Sequence, residues 1–134
     1  EWDSGDWSGH MYADLPEKWP GEWTAWREAP FTARAPGGEN YSDMFARARP
    51  FIAEILASPH ASIAVVSHGM IGKVMVAILA EWDEATTLAV GQKNDVVFRV
   101  DHDGQSARVE YYEAGHGPHN GLPGVNPDHA QAAY

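Results

Sequence analysis

Cysteine is absent from the 134-residue chain, so neither a disulfide framework nor a thiolate metal site is possible. No apolar run approaches the roughly 18 to 20 residues that span a bilayer, and no charged-then-apolar leader opens the sequence. These absences are compatible with a cytoplasmic protein, and we expect that location and no membrane partner. What is present is ordinary globular composition, with 44% hydrophobic and 21% charged residues, which predicts a single domain over residues 1–134.

Positive charge is also scarce. Lys and Arg number 9 against 19 Asp and Glu, and the formal net charge is −10. Nucleic-acid binding needs clustered cations that displace counterions, so this composition argues against a nucleic-acid partner. A phosphate site in so acidic a chain must rest on a few focused cations and backbone dipoles.

The most informative segment is the apolar run of residues 62–66, which ends at Ser67-His68-Gly69 and is followed by helical sequence from Lys73 to Glu81. A short β-branched run predicts a strand that is buried on both faces, with His68 at its carboxyl end. Ligands of open α/β sheets bind outside those ends, and the free N–H groups of the next helix suit an anion. Phosphate is therefore the first candidate ligand. The alternative is that His68 is only a capping or hydrogen-bonding residue, as a lone histidine in such a turn often is.

The remaining chain gives a coarse secondary-structure prediction. Residues 1–38 are rich in Trp, Pro and Gly, which predicts long loops with one short helix near residues 22–28. Apolar residues at three- and four-residue spacings predict an amphipathic helix over residues 41–57, and Pro50 inside it should kink it. The other predicted elements are a short helix from Asp83 to Val90, a hairpin of residues 96–100 and 107–112, and an irregular tail over residues 115–134.

Three blocks occur in the order that is typical of one known family. They are residues 1–9 (EWDSGDWSG), the turn of residues 36–40 (PGGEN) with the helix after it, and the His68-Gly69 turn. Together they resemble the histidine phosphatase superfamily, the phosphoglycerate mutase-like enzymes, although Asn40 stands where the family usually has serine. The resemblance implies an α/β fold with a three-layer α/β/α sheet, which would be incomplete in this chain.

The resemblance also implies roles for individual residues. Glu1 would be the proton donor to the leaving alkoxide, and His68 would stabilise the charge on the phosphate oxygens. Gly69 would let the backbone come close to the phosphate, and the N–H of Met70 would donate to it. This chemistry requires no metal and no organic cofactor. Without the resemblance, a terminal acidic residue such as Glu1 is usually solvated and has no role.

The defining motif of the family, an Arg-His-Gly triplet that carries the nucleophilic histidine, does not occur in this sequence. We therefore expect the chain to be the C-terminal part of a longer protein and to be inactive alone. A missing N-terminal segment or a second chain would supply a strand beside residues 62–66. Without that strand the segment is an open apolar edge, so the chain should not fold stably by itself.

The predicted function is phosphoryl transfer through a phosphohistidine, with hydrolysis of a small phosphate monoester as the first candidate. A phosphomutase is one alternative. Another is a catalytically incomplete binding or regulatory relative that keeps a phosphate pocket, or whose tryptophan-rich loops bind a partner. Residues 1–38 correspond to the family's lid and specificity segment.

Two further patterns are weaker. Scattered loop residues could form a metal site, although such residues are mostly solvated; they are His102, Asp103, His116, His119, Asp128 and His129. The tryptophans near the N-terminus could form a stacking platform for sugars or bases, or could pack a loop-rich lid onto the core.

Overall fold

The computed structural model describes residues 1–91 and 93–123 of the chain. Its helices are α1 (Leu15–Lys18), α2 (Pro20–Glu28), α3 (Tyr41–Ala57), α4 (Gly69–Leu79) and α5 (Glu84–Ala89), and its strands are β1 (Val96–His102), β2 (Ala107–Glu113) and β3 (His116–Asn120). Two 3-10 turns, Gly5–Trp7 and Tyr12–Asp14, precede α1. The three strands form one antiparallel sheet in the order β1-β2-β3.

Helix α3 confirms the helix predicted over residues 41–57, and Asn40 caps its start. The Asn40 side chain accepts a hydrogen bond from the Asp43 N–H at 2.9 Å, and the Asp43 carboxylate accepts one from the Asn40 N–H at 3.0 Å. This reciprocal capping box satisfies two donors that a helix start otherwise leaves unpaired. Pro50 lies inside α3, and the helix continues on both sides of it.

The core forms where α3 packs against α4. Met44 of α3 and Val74 of α4 are completely buried, and Met70 and Ile71 at the start of α4 belong to the same hydrophobic cluster. Helix α4 begins earlier than predicted because the glycine after His68 already has helical geometry. The next helix, α5, begins at its predicted cap, since the Asp83 carboxylate accepts a hydrogen bond from the Thr86 N–H at 2.7 Å.

The tryptophans near the N-terminus pack inward. Trp2, Trp7 and Trp26 are only 7%, 3% and 7% exposed, and Trp2 stacks on Trp26 with ring centroids 5.3 Å apart. Trp7 meets the Trp26 ring edge-on at 5.9 Å. Trp2, Trp7 and Trp26 therefore belong to the hydrophobic core and do not form an exposed stacking platform, because they pack against one another. That residues 1–38 act as a lid stays a prediction.

The predicted hairpin is confirmed by β1 and β2, which pair in register from Val96↔Glu113 to His102↔Ala107. The irregular tail predicted from residue 115 is wrong over β3, which pairs antiparallel with β2. The sequence of β3, HGPHN, lacks β-branched and aromatic residues, so its strand geometry depends on the β2 edge and not on local propensity. The rest of that predicted tail, residues 124–134, lies outside the described residues.

The strand predicted over residues 62–66 requires correction. In the structure this segment belongs to no helix or strand, and its side chains are exposed, with Ile63, Val65 and Val66 at 44%, 45% and 98%. A strand needs a neighbour to pair with its backbone groups, and the described residues place none beside this segment. The described part of the fold is therefore helical with one small antiparallel sheet, which is consistent with an α/β protein.

Within residues 1–91 and 93–123, no helix has both the length and the apolar character that crossing a membrane requires.

Candidate active site

The two side chains predicted to carry the chemistry lie together in the structure. The His68 Nδ1 atom is 3.1 Å from the Glu1 Oε2 atom, although the two residues stand far apart in the sequence. Their side chains are 66% and 54% exposed, so both face solvent while they face each other. An acid and an imidazole thus lie side by side at the surface.

His68 occupies the N-cap position of α4 with extended backbone geometry. Its carbonyl accepts the first backbone hydrogen bond of that helix, from the Gly72 N–H at 2.8 Å. Its side chain does not cap the helix, which leaves the ring directed toward Glu1. The N–H groups of the first turn consequently have no partner within α4 and lie next to the His68 side chain.

Gly69 and Met70 begin this helix in two different environments. Met70 is 5% exposed, so its side chain anchors the first turn of α4 in the core. Gly69 is exposed, and a Cβ atom built on it would meet no described atom within 4 Å. The described part of the fold therefore does not require glycine at this position, and the space beside its backbone is open for a ligand.

Glu1 is fixed by contacts with both its carboxylate and its backbone. Its Oε1 atom accepts a hydrogen bond from the Trp2 N–H at 3.0 Å, and Oε2 is the atom that faces His68. Its carbonyl accepts a hydrogen bond from the Arg47 Nη2 group of α3 at 2.9 Å. The acid is thus connected to the same helix that packs against α4.

The segment that carries Glu1 is attached to the turn before α3. The Glu39 N–H donates to the Asp3 carbonyl at 2.8 Å, and the Asp6 N–H donates to the Pro36 carbonyl at 2.8 Å. The backbones come so close that a Cβ on Gly5, whose φ is +51°, would lie 2.1 Å from the Pro36 oxygen. Glycine is required there both by the conformation and by the space. We call this pairing of residues 1–6 with residues 36–39 the backbone clasp.

Glu39 and Arg47 form a bidentate ion pair, and Arg47 also donates to the Glu1 carbonyl. Arg47 donates from Nε to Glu39 Oε1 at 2.8 Å and from Nη2 to Oε2 at 2.9 Å. The Arg47 hydrogen bonds lower the pKa of the Glu39 carboxyl, and the same bonds raise the pKa of Arg47. Nearby, burial and then the charge of Glu1 raise the pKa of Tyr12, which places that phenol within electrostatic range of the acid.

One known family matches most of this chain. The family profile of the histidine phosphatase superfamily (branch 1) matches residues 1–114, which include the backbone clasp, α3, α4 and the β1-β2 hairpin. The chain belongs to this superfamily. The family interpretation of the three sequence blocks is therefore confirmed.

Curated members of the superfamily show similarity over part of their length. Glucosyl-3-phosphoglycerate phosphatase from Mycobacterium tuberculosis, in strains CDC 1551 / Oshkosh and ATCC 25618 / H37Rv, is 34% identical over 96 residues, covering 65% of this chain and 43% of the relative. Phosphoserine phosphatase 1 from Hydrogenobacter thermophilus (strain DSM 6534 / IAM 12695 / TK-6) is 28% identical over 95 residues, covering 70% of this chain and 45% of the relative. The matched segments thus span less than half the length of each of these relatives.

Three residues beside the acid were not singled out from the sequence: Tyr12, Glu39 and Arg47. Glu39 and Arg47 both lie in the sequence block formed by the turn of residues 36–40 and the helix after it. Their spacing along the chain was the signal that could have paired them. Tyr12 lies in a loop-rich segment without periodicity, so nothing local pointed to it. Among residues 1–91 and 93–123, no group of three or more His, Asp or Glu side chains is arranged to hold a metal ion, and His129 and Asp128 lie outside that range.

Proposed function

We propose that this histidine phosphatase superfamily member contributes to phosphoryl transfer through a phosphohistidine, and that the reaction is hydrolysis of a small phosphate monoester. The observation that supports this most directly is the 3.1 Å approach of Glu1 to His68 at the start of α4. An acid beside a group that stabilises anionic charge is the pair that breaking a phosphate ester requires.

In the proposed mechanism, a histidine outside the described residues attacks phosphorus, so that an N–P bond forms as the ester P–O bond breaks. Glu1 gives its proton to the departing alkoxide. Water then attacks the phosphohistidine, Glu1 takes up the proton of the water, and inorganic phosphate leaves.

His68 and the start of α4 would hold the phosphate. A protonated His68 compensates the charge on the non-bridging oxygens, and the N–H groups of Gly69 and Met70 lie at the positive end of the helix dipole. The chemistry uses side chains and backbone dipoles and needs no metal or organic cofactor.

The nucleophile would come from a segment before Glu1 or from a second chain. The sequence contains no Arg-His pair, and the matches span only 43% and 45% of the named relatives. Residues 62–67, which have no strand partner among the described residues, are where such a segment would add a strand, since a neighbouring strand satisfies their backbone groups and covers Ile63 and Val65. A three-layer α/β/α arrangement is the expected result.

Hydrolysis is proposed in preference to mutase activity because both named relatives are phosphatases, of glucosyl-3-phosphoglycerate and of phosphoserine. We propose that the substrate is a small phosphorylated metabolite and that the protein acts in the cytoplasm.

The test compares two substrates in the complete protein. para-Nitrophenyl phosphate releases a phenolate that departs without protonation, whereas β-glycerol phosphate releases an alkoxide that needs a proton. We expect His68→Ala to lower kcat on both by about 10² or more, because a charge-stabilising group is lost. Glu1→Gln should lower kcat by on the order of 10² on β-glycerol phosphate and much less on the aryl ester.

Matched controls are available in the exposed residues His60 and Glu54. His60→Ala and Glu54→Gln should leave both rates within about twofold of the parent, as surface substitutions away from the site usually do. An unchanged rate in His68→Ala removes that residue from the site, and equal losses on both esters in Glu1→Gln refute the acid role. Binding of inorganic phosphate without turnover of either ester would favour the regulatory alternative.

A further inference from the structure

The proposed acid is held through its own backbone, and Arg47 is the side chain that holds it. Arg47 donates to the Glu1 carbonyl at 2.9 Å. It projects from α3, whose start is fixed by the capping box at Asn40 and whose buried face packs against α4. Because His68 occupies the N-cap position of α4, Arg47 links the helix pair that positions the imidazole with the residue that carries the acid.

Glu39 fixes the direction in which the Arg47 guanidinium points. It accepts two hydrogen bonds from that guanidinium, at 2.8 and 2.9 Å, in the planar geometry that only arginine offers. Its Oε2 atom also accepts from the Asp3 N–H at 3.2 Å, and its carbonyl accepts from the Trp2 Nε1–H at 2.8 Å. Glu39 therefore contacts the chain directly after the acid as well as the arginine.

Charge balance distinguishes positioning from direct phosphate binding. The bidentate partner neutralises the Arg47 charge, so the pair has no net charge to offer a phosphate dianion. The guanidinium is also engaged with three acceptor atoms, two on Glu39 and one on Glu1. The role that remains for Arg47 is geometric, because it sets the position of the Glu1 carboxyl relative to the leaving group.

We propose that Glu39 and Arg47 are positioning residues that set the alignment of the general acid, and thereby determine how well the enzyme cleaves esters with poor leaving groups. The proposal rests on the proposed acid role of Glu1. Misplacement of a catalytic group by about 1 Å can cost as much as 10²-fold in rate, so a loosened pair should affect the acid-dependent substrate most.

The experiment uses the complete protein and the ratio of kcat on β-glycerol phosphate to kcat on para-nitrophenyl phosphate. Arg47→Lys keeps the charge but loses the planar fork, and Glu39→Gln keeps the shape but loses the charge. Arg49→Lys is the matched control, because Arg49 lies on the same helix with its guanidinium 5.9 Å from the Phe45 ring. The double variant Glu1→Gln/Arg47→Lys completes a double-mutant cycle.

We expect Arg47→Lys and Glu39→Gln each to lower the ratio by about tenfold, while Arg49→Lys leaves it within about twofold. In the Glu1→Gln background, Arg47→Lys should lower the ratio no further, because a positioning residue acts through the group that it positions. A purely structural loss would lower both rates together and leave the ratio unchanged.

Three outcomes overturn the proposal in distinguishable ways. Equal losses on both esters, or a raised KM with an unchanged ratio, would mean that Arg47 serves the phosphate or the fold. A further loss of the ratio in the double variant would mean that Arg47 acts independently of Glu1. An unchanged ratio in Glu1→Gln itself would refute the acid role and with it this inference. If Arg47→Lys fails to fold, as judged by circular dichroism, Glu39→Gln carries the same test.

Discussion

At the scale of single residues, Lys73 is a charged side chain in buried surroundings. It is 8% exposed, with its Nζ atom 5.3 Å from the centre of the Tyr41 ring and 3.4 Å from the Val90 carbonyl that accepts from it. Burial lowers the pKa of Lys73 to about 8. The sequence placed Lys73 in a helix but did not show its burial, because burial depends on which elements cover α4.

The lowered pKa of Lys73 predicts a rise in stability with pH. In the unfolded chain the group keeps the ordinary lysine pKa of 10.5, so between pH 8 and 10.5 the unfolded state binds more protons than the folded state. The free energy of unfolding contributed by Lys73 therefore increases over that window, by about 3 kcal/mol in total, and is constant below it. Urea unfolding of the complete protein and of Lys73→Met, across this pH range, measures the difference between the two.

The exposed lysine Lys18 provides a control for Lys73, since Lys18→Met should show the same pH dependence as the parent. A difference between the parent and Lys73→Met that stays constant from about pH 7 to about pH 11 would show that the group titrates normally in the folded protein.

At the scale of elements, local signals predicted those elements whose cause is local. The spacing of apolar residues predicted α3, Asp83 marked the start of α5, and residues 96–100 and 107–112 were recognised as the hairpin. β3 was missed and residues 62–66 were misassigned, because both depend on a partner strand. A sequence pattern shows that a segment suits a sheet, but it does not show whether a neighbour is present.

The start of α3 gives a graded prediction for Asn40. Its side chain accepts from the Asp43 N–H and also donates from Nδ2 to the Thr32 carbonyl at 3.0 Å. Asn40→Ala loses both bonds and should lower the free energy of unfolding by about 1–3 kcal/mol. Asn40→Ser keeps a capping oxygen and loses the Thr32 bond, so it should lie between the parent and the alanine variant. Urea denaturation that ranks serine below alanine would contradict this account of the cap.

At the scale of the whole molecule, the sequence predicted a role for Glu1 and a role for His68 but not the contact between them. No spacing rule brings the first residue of the chain to the start of α4, since the contact depends on the backbone clasp, on Arg47 and on the packing of α3 against α4. The family resemblance supplied what spacing did not, while the contacts that hold Glu1 required the structure.

The proposal that residues 62–67 receive a further strand predicts a difference in amide exchange. In residues 1–134 alone these amides have no strand partner among the described residues, so they should exchange as fast as an unstructured peptide. In the complete protein the same amides should exchange at least about 10²-fold more slowly, because strand pairing protects them. Hydrogen exchange followed by mass spectrometry of peptides that cover Ile63 to Ser67 makes the comparison.

The amides of α3 are followed in the same two samples, because they report whether residues 1–134 are folded at all: if these residues do not fold stably alone, α3 is protected only in the complete protein. Equally fast exchange of residues 62–67 in both samples would contradict the added strand. A cooperative melt of monodisperse residues 1–134 would contradict the further expectation that they do not fold stably alone.

The backbone clasp has a consequence for the residues that it encloses. Residues 7–35 leave it and return to it at adjacent points, so a flexible insertion at an exposed point between them, away from the buried tryptophans, would cost only about 0.6 kcal/mol for each doubling of its length. Under the proposed function, such insertions would reshape the surroundings of the leaving alcohol while Glu1 keeps its distance from His68. Substrate preference would then change through exposed residues of this segment, and the Glu1–His68 contact would be inherited without change.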